Sequence, residues 1–291
     1  MTLYEWDGRS CCPIVDSQER VIGVLAGCPN QENWEGLMSD AANEIAHTRK
    51  EIKFTDKQLN GGRGEFPAIA VGISYGGGRK EPGNFAQSSA AALVLLTNLL
   101  TSTCFQCLSG FATCVFQAYA PLTFDCYWKC LESIQSWNPR LRRYFEKTAF
   151  AACTVNFGPS TVCRPHTDRA NLAFGWCAIT ALGDFDPNKG GHLILWDLGL
   201  IIRFPPGSTI LIPSALLTHS NVPIQEGETR YSFVQYLAAG LFRWVYNGFK
   251  SDADFEAAAT PAQSAKREAD RQSRWKEGVG MFAKWSDLHK G

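Results

Sequence analysis

Short apolar runs separated by glycine and proline fill the chain between about residues 150 and 240. The runs cover residues 150–161, 174–182, 192–196, 200–204, 208–212 and 228–238. Between them stand turn-forming stretches such as residues 184–191 and 205–207, which leave little room for helices. Together with an extended segment around residues 166–168, runs of this length with turn chemistry between them predict about seven short strands, as a double-sheet jelly roll requires.

A helical pattern flanks these strands. Apolar residues recur at helical spacing in residues 34–48, 85–100 and 121–137, and a polar, basic helical stretch follows residue 251. We therefore expect an α+β fold with a double-stranded β-helix (jelly-roll, cupin-like) core and flanking helices. Within one structural domain, residues 1–83 would form an N-terminal extension, residues 84–250 the helical support and the core, and residues 251–291 a helical segment.

Composition narrows the class of protein. With 291 residues, 45% of them hydrophobic, the chain can bury a large core. Lys and Arg (28) balance Asp and Glu (28), so net charge argues neither for nor against a nucleic-acid partner. The start of the sequence lacks the pattern of a signal peptide, so the eleven cysteines suggest reduced thiols in the cytosol or nucleus. The longest apolar run, residues 90–100, is too short to span a bilayer, so we expect a soluble protein with no membrane segment.

His166 and Asp168 are the first candidates for chemistry. They stand two positions apart, and on an extended strand both side chains leave from the same face. His219 follows fifty-one residues after Asp168. An isolated His-x-Asp recurs by chance and a lone histidine is usually structural, but two of only five histidines fit here. The three residues match a facial triad, which holds ferrous iron and leaves positions open for a co-substrate and oxygen.

Arg230 stands eleven residues after His219, on the next predicted strand. An oxygenase that uses 2-oxoglutarate needs a cation here, because a guanidinium grips a carboxylate with two parallel hydrogen bonds. Ser232 lies on the same face of the strand by alternation and can add a third hydrogen bond. The alternative is that Arg230 is an ordinary surface arginine on a strand.

Residues 49–80 are basic and rich in glycine. This segment has seven basic and three acidic side chains, a surplus of four, and two glycine clusters that carry Arg63, Arg79 and Lys80. Between the clusters, residues 68–73 form a strand-like apolar run. Glycine loops with embedded cations suit close approach to phosphates, so we expect these three residues to contact DNA. The alternative is a flexible hairpin with solvated charges.

Four cysteines in the helical region form a second candidate metal site. Cys104 and Cys107 have the spacing Cys-x-x-Cys, and Cys126 and Cys130 have Cys-x-x-x-Cys. Such spacing can hold structural zinc. The surroundings are apolar, where free cysteines behave as small hydrophobes, so packing is the favoured role and zinc stays open.

The motifs resemble one known family. The sequence is similar to the iron and 2-oxoglutarate dioxygenases of the TET/JBP group, which oxidise the methyl group of a base in DNA, and particularly to their short fungal relatives. The resemblance covers roughly residues 156–240. The residues that carry it are His166 and Asp168 with Asn171 three positions on, His192 after two glycines, Arg230 with Ser232, and Tyr236.

The resemblance implies a role for each residue. His166, Asp168 and His219 would hold Fe(II), with O2 as a co-substrate. Arg230, Ser232 and His192 would bind 2-oxoglutarate. We also place Asn156, on the first central strand, among the co-substrate residues. Asn171 would hydrogen-bond a flipped base, and Tyr236 would lie against that base. The alternatives are a turn role for Asn171 and a place in the core for Tyr236 and for His192.

One departure from the family concerns the choice of base. Where animal members have a second base-contacting histidine, eight residues after the arginine, this chain has Ala238. The large cysteine-rich zinc region of the animal enzymes is also missing as such. Losing the histidine enlarges the pocket and removes a hydrogen-bond partner for cytosine. We therefore expect relaxed choice, with both 5-methylcytosine and N6-methyladenine oxidised in duplex DNA.

The sequence thus predicts an Fe(II)- and 2-oxoglutarate-dependent dioxygenase that acts on methylated double-stranded DNA as a nuclear monomer. Two other classes stay open. One is a 2-oxoglutarate oxygenase that acts on a protein or a small molecule. The other is a DNA-binding module with a dead site, against which the intact triad and Arg230 argue.

Overall fold

In the computed structural model, which describes residues 1–288, a large and a small β-sheet face each other, and helices cover the outer side of the large sheet. The strands are β1 (Thr2–Tyr4), β2 (Cys12–Val15), β3 (Val21–Gly27), β4 (Ala68–Ser74), β5 (Gly83–Asn84), β6 (Ala152–Asn156), β7 (Cys177–Asp184), β8 (Leu193–Leu195), β9 (Leu200–Ile202), β10 (Thr209–Ile212), β11 (His219–Asn221) and β12 (Thr229–Tyr236). The helices are α1 (Trp34–Glu51), α2 (Asp56–Leu59), α3 (Ala90–Thr101), α4 (Thr103–Tyr119), α5 (Pro121–Trp137), α6 (Ala239–Tyr246), α7 (Asp252–Ala258), α8 (Pro261–Gly280) and α9 (Trp285–Leu288). Seven strands, β6 to β12, fall within the predicted strand-rich region.

The two sheets form the predicted jelly-roll core. The large sheet has the strand order β2-β3-β10-β7-β12-β6-β4-β5, and the small sheet has the order β1-β9-β8-β11. Apolar side chains of β7 and β10 meet those of β8 and β9 between the sheets, with Ile179, Ile210, Leu195 and Ile202 buried there. Two largely antiparallel sheets packed around such a core define this architecture, so the expected α+β class with a jelly-roll core is confirmed.

Helices α1, α3 and α4 pack on the outer face of the large sheet. Ile45 of α1, Leu96 of α3 and Phe105 of α4 are fully buried against strand residues such as Phe233. Helix α3 begins where the Ser89 hydroxyl accepts a hydrogen bond from the backbone N–H of Ala92, and α5 begins at a proline. Because side chains alternate along β12, its odd-numbered residues face these helices and its even-numbered residues face the space between the sheets.

The N-terminal region belongs to the core. Strand β1 pairs in parallel with β9 of the small sheet, while β2 and β3 extend the large sheet beside β10. Strand β4 confirms the apolar run predicted at residues 68–73, and it pairs with β6. The chain therefore supplies strands to both sheets before the helical region begins.

Within the described part of the chain, residues 1–288, the cysteines do not assemble a second metal site. All eleven are free thiols, and Cys104 and Cys130 are buried in different core clusters. Within residues 1–288, His166, Asp168 and His219 form the only group of three or more histidine, cysteine or acidic side chains placed to hold a metal. Within the same residues no single helix is long and apolar enough to cross a membrane, and the pair α3 and α4, which passes jointly by length and composition, is bent by 62°.

Candidate metal centre and its anion pocket

His166, Asp168 and His219 converge on one cavity, which residues of both sheets line. One ligand atom from each lies within 4.8 Å of the other two. His219 begins β11 and is placed by pairing with Leu195 of β8. His166 is placed by His219 itself, because the two residues form an isolated antiparallel bridge. The N–H of His166 donates to the C=O of His219 at 3.1 Å, and the N–H of His219 donates to the C=O of His166 at 2.9 Å.

The segment that carries His166 and Asp168 is not the strand that alternation predicted. It is irregular, with a single bridge residue at His166. Pro165 has no N–H to donate to a ladder, and the N–H of Asn171 turns back to the C=O of Asp168 at 2.9 Å. The Asp168 N–H is held by Ser214 O at 2.8 Å. Both side chains nevertheless reach the same site.

Both histidines are oriented for metal binding by the same local contact. His166 Nδ1 lies 2.8 Å from the C=O of Arg164, and His219 Nδ1 lies 2.9 Å from the C=O of Leu217. A carbonyl only accepts, so each Nδ1 carries the proton and each Nε2 presents a lone pair, the form in which histidine binds a metal. Burial lowers the pKa of His219, with the nearby His166 ring acting in the same direction, and this favours the neutral ring.

Asp168 offers the matching oxygen. Its Oδ1 is buried and lies 3.8 Å from His166 Nε2. Arg63 Nη2 approaches this oxygen to 2.5 Å, but not at a hydrogen-bonding angle, so Oδ1 has no hydrogen-bond donor among the described residues. A buried carboxylate oxygen without a donor, facing two imidazole lone pairs, fits a divalent metal. Two histidines and one carboxylate are the donor set typical of ferrous oxygenases.

Arg230 lies in the cavity beside the triad and is 3% exposed. Its Nη1 donates to the C=O of Thr161 at 3.0 Å, and its Nε has no partner among the described residues. Burial lowers the pKa of Arg230 to about 10, and no carboxylate of residues 1–288 compensates for its charge. The surface-arginine alternative is therefore wrong. A buried cation without a counter-charge is a site for an anion.

Ser232 and Asn156 extend this anion site. Both line the cavity, and they are direct partners across β12 and β6. Asn156 Nδ2 donates to Ser232 Oγ at 2.7 Å, which leaves the serine O–H free to donate to a ligand. Arg230, Ser232 and Val234 all line the cavity, as alternation along β12 requires.

The structure does not bring His192 to this cavity. Leu193, the next residue, lines it, and β8 alternation turns His192 the other way. His192 is half-buried, and its pKa is lowered by burial and by the charge of Arg203. The geometry thus gives no support to the predicted contact of His192 with the co-substrate.

The two predicted base-contacting residues lie just beyond the cavity lining. Tyr236 stands two positions after Val234 on the same face of β12, and its hydroxyl is 3.2 Å from Thr154 Oγ1. Burial raises the pKa of Tyr236, so it stays a neutral phenol. Asn171 Nδ2 donates to the buried Cys177 thiol at 3.2 Å. Their contact with a base stays a prediction.

The predicted DNA-contacting residues separate into two groups. Arg63 reaches the triad. Arg79 folds back on its own hairpin, where Nη1 donates to the C=O groups of Gly83 and Asn84, both at 3.2 Å, and its guanidinium lies 5.5 Å from the Phe85 ring centre. Lys80 is exposed in the same loop. DNA contact by Arg79 and Lys80 stays a prediction.

Sequence reasoning missed Asn221, which holds the cavity wall together. Its Nδ2 donates to the C=O of Thr161 at 2.9 Å, and its Oδ1 accepts from the N–H of Cys163 at 2.8 Å. These contacts attach the segment before His166 to β11. The signal was present, since Asn221 stands two positions after His219 and so shares its strand face.

No protein-family model matches the chain, and no curated protein matches it. Among solved structures, it is similar to NgTET1 in complex with 5mC DNA, with 15% identity over 82% of each chain and a TM-score of 0.43. It is also similar to an oxidoreductase of the 2OG-Fe(II) oxygenase family from Burkholderia pseudomallei, with 17% identity over 72% of this chain and 92% of that one and a TM-score of 0.36. OsALKBH1 gives 15% identity over 68% and 92%, with a TM-score of 0.36.

Proposed function

We propose that the protein is an Fe(II)- and 2-oxoglutarate-dependent dioxygenase. The observation that carries this proposal is the juxtaposition of the His166, Asp168 and His219 triad with the buried, uncompensated Arg230 in one cavity. The triad supplies the ligands for a metal, and Arg230 supplies the positive charge that an anionic co-substrate needs in the same cavity. A triad or a buried arginine by itself also occurs in other kinds of site, but together they match the needs of a 2-oxoglutarate oxygenase.

The residues of the chain divide the work between them. His166 Nε2, Asp168 Oδ1 and His219 Nε2 would hold ferrous iron by one face. Arg230 Nε and the Ser232 hydroxyl would bind the distal carboxylate of 2-oxoglutarate. When bound, iron with 2-oxoglutarate and O2 supplies oxidation of a C–H bond, and succinate and carbon dioxide are the co-products. The apolar walls, among them Ile179, Leu193 and Phe204, exclude water from this chemistry.

The proposed substrate is a methylated base flipped out of duplex DNA. Support comes from the sequence resemblance at Asn171 and Tyr236, and from the position of both residues just beyond the cavity lining. Exposed Arg63, Arg164 and Arg169 surround the triad and suit a polyanionic substrate. We propose oxidation of 5-methylcytosine and demethylation of N6-methyladenine, by a monomer that works in the nucleus.

Nucleoside mass spectrometry tests this function. Duplexes that contain 5-methylcytosine or N6-methyladenine are incubated with the protein, Fe(II) and 2-oxoglutarate, with Asp168→Ala as the control. We expect 5-hydroxymethylcytosine from the first duplex and unmodified adenine with formaldehyde from the second. If succinate forms at the same rate with and without duplex and both bases stay unchanged, the proposal of a DNA substrate is wrong, and a protein or a small molecule becomes the favoured substrate. No succinate under any condition would refute the oxygenase itself.

A further inference from the structure

The loop at residues 61–66 is attached to the metal-ligand segment at three points. The N–H of Arg164 donates to the C=O of Arg63 at 2.7 Å. Arg164 Nη2 pairs with Glu65 Oε1, also at 2.7 Å. The Arg63 guanidinium then reaches Asp168, with Nη2 at 2.5 Å from Oδ1. An exposed loop of the N-terminal region therefore places a cation directly on a candidate iron ligand.

The Arg63 guanidinium lies against the oxygen that a metal would need, without forming a hydrogen bond to it. Oδ1 is the oxygen that lies 3.8 Å from His166 Nε2, and it is the same atom that Arg63 approaches. A guanidinium has five donors and no acceptor, and it keeps its charge at all working pH values. A metal cation at this position would meet a like charge within a few ångströms, so Arg63 and the metal compete for Oδ1.

Arg63 can leave without disturbing the core. Its side chain is 54% exposed, whereas that of Asp168 is 7% exposed. The two glycines before it, Gly61 and Gly62, have open space where a side chain would be. Gly64 marks the fixed end of the loop, since a Cβ there would lie 2.3 Å from the C=O of Val162. The loop is thus packed closely at Gly64, whereas Gly61 and Gly62 have no close neighbours.

We propose that Arg63 is a displaceable counter-ion of Asp168. Metal binding releases the guanidinium, and the released group takes a phosphate of the nucleic-acid substrate, which makes Arg63 a substrate-positioning residue at the rim of the site. The phosphate part rests on the proposed function. Because binding free energies are linked, the metal must raise the affinity for duplex by the factor by which duplex raises the affinity for the metal.

The metal part is tested with Co(II) alone, titrated into metal-free protein without 2-oxoglutarate and followed by its visible absorption. The variant is Arg63→Gln. The matched control is Arg169→Gln, which removes an exposed charge from the same rim and leaves the contacts of Arg63 with Asp168 and of Arg164 with Glu65 in place. We expect Arg63→Gln to bind Co(II) about 5- to 150-fold more tightly than the wild type, the usual range of coupling between sites. Arg169→Gln should match the wild type.

The duplex part uses fluorescence anisotropy of a labelled duplex with metal-free and Co(II)-saturated protein. Wild type should bind duplex more tightly when it carries Co(II), and Arg63→Gln should lose that difference. Weaker Co(II) binding by Arg63→Gln would overturn the proposal, since Arg63 would then support Asp168 as a ligand. If Co(II) raises the affinity for duplex equally in the wild type and in Arg63→Gln, Arg63 does not bind the phosphate. If neither protein binds Co(II), the proposed function is wrong as well. If both proteins bind Co(II) with the same affinity, only the inference about Arg63 is wrong.

Discussion

Asn171 and Ala238 pair with each other across an isolated antiparallel β-bridge. The N–H of Ala239 donates to the C=O of Ala170 at 2.8 Å, which fixes the two segments side by side. The residue predicted to contact the base therefore stands next to the position where animal TET/JBP proteins have a histidine. A side chain introduced at position 238 would act directly on the surroundings of Asn171.

Ala238→His is expected to narrow the choice of base. The imidazole would supply a partner for cytosine and take up room that the larger adenine needs, so oxidation of 5-methylcytosine should persist. Activity on N6-methyladenine should fall by about 10- to 200-fold, the range for a modest misfit in a pocket. Asn171→Ala should lower both activities. Nucleoside mass spectrometry of the two duplexes measures each rate, and a wild type that consumes only 5-methylcytosine would contradict the pocket argument.

Loss of either ligand on the irregular segment is expected to abolish turnover. His166→Ala or Asp168→Ala leaves two ligands, which cannot hold iron in a site that must keep positions open. Succinate formation should drop to background, and Co(II) absorption should disappear. Circular dichroism should show a retained fold, because the sheets do not depend on these side chains. Undiminished succinate formation in either variant would refute the triad.

Arg230→Met is expected to weaken co-substrate binding and, at the same time, to raise the stability of the metal-free protein. Removal of the cation should weaken 2-oxoglutarate binding by about 2–5 kcal/mol, because a buried carboxylate loses its charged partner. The metal-free variant should also unfold less readily, since the lowered pKa of Arg230 corresponds to a burial cost of roughly 3 kcal/mol. Thermal melts with and without 2-oxoglutarate measure both effects.

His192→Ala is the comparison for Arg230→Met. Because His192 points away from the cavity, its removal should leave the 2-oxoglutarate requirement close to that of the wild type. A steep rise in that requirement would restore the family role that sequence resemblance gave to His192. An unchanged requirement in Arg230→Met would instead assign the carboxylate to another cation.

The metal-free protein is expected to lose stability in mild acid. Burial lowers the pKa of His219 below its ordinary 6.5, so the unfolded chain binds more protons than the folded one as pH falls through that value. The free energy of unfolding should therefore decrease from about pH 7 to 5.5, with at most about 1.4 kcal/mol per pH unit from this residue. Denaturant unfolding with a chelator measures it. His219→Gln should show a shallower pH dependence, and identical slopes would contradict the assignment.

The sequence was most informative where side chains follow a regular period. Alternation along β12 placed Arg230 and Ser232 on one inward face, and each of the six apolar runs between residues 150 and 238 contains one strand, whereas β11 lies in none of them. Periodicity failed at His166, which lies in an irregular segment and is positioned by one bridge to a residue far along the chain. A contact of that kind has no local pattern, so only the folded chain reveals it.

The charged loops show a second limit. Composition predicted that Arg63, Arg79 and Lys80 act together, because all three stand in glycine-rich stretches. Their partners differ: Arg79 finds backbone carbonyls of its own turn, whereas Arg63 finds a carboxylate more than one hundred residues away in sequence. Tertiary packing decides which acceptor a flexible cation contacts, so the acceptor cannot be predicted from residue type alone.

The bridge between His166 and His219 also has a consequence for how such a protein can evolve. Reciprocal backbone hydrogen bonds set the distance between the two ligands, so the surface turns along the intervening chain are free to vary in length. A turn such as that near Asp186 and Lys189 lies on the surface, where insertions are tolerated. New loops could therefore alter what approaches the metal while the ligands keep their spacing, and substrate range could diversify on a constant reaction centre.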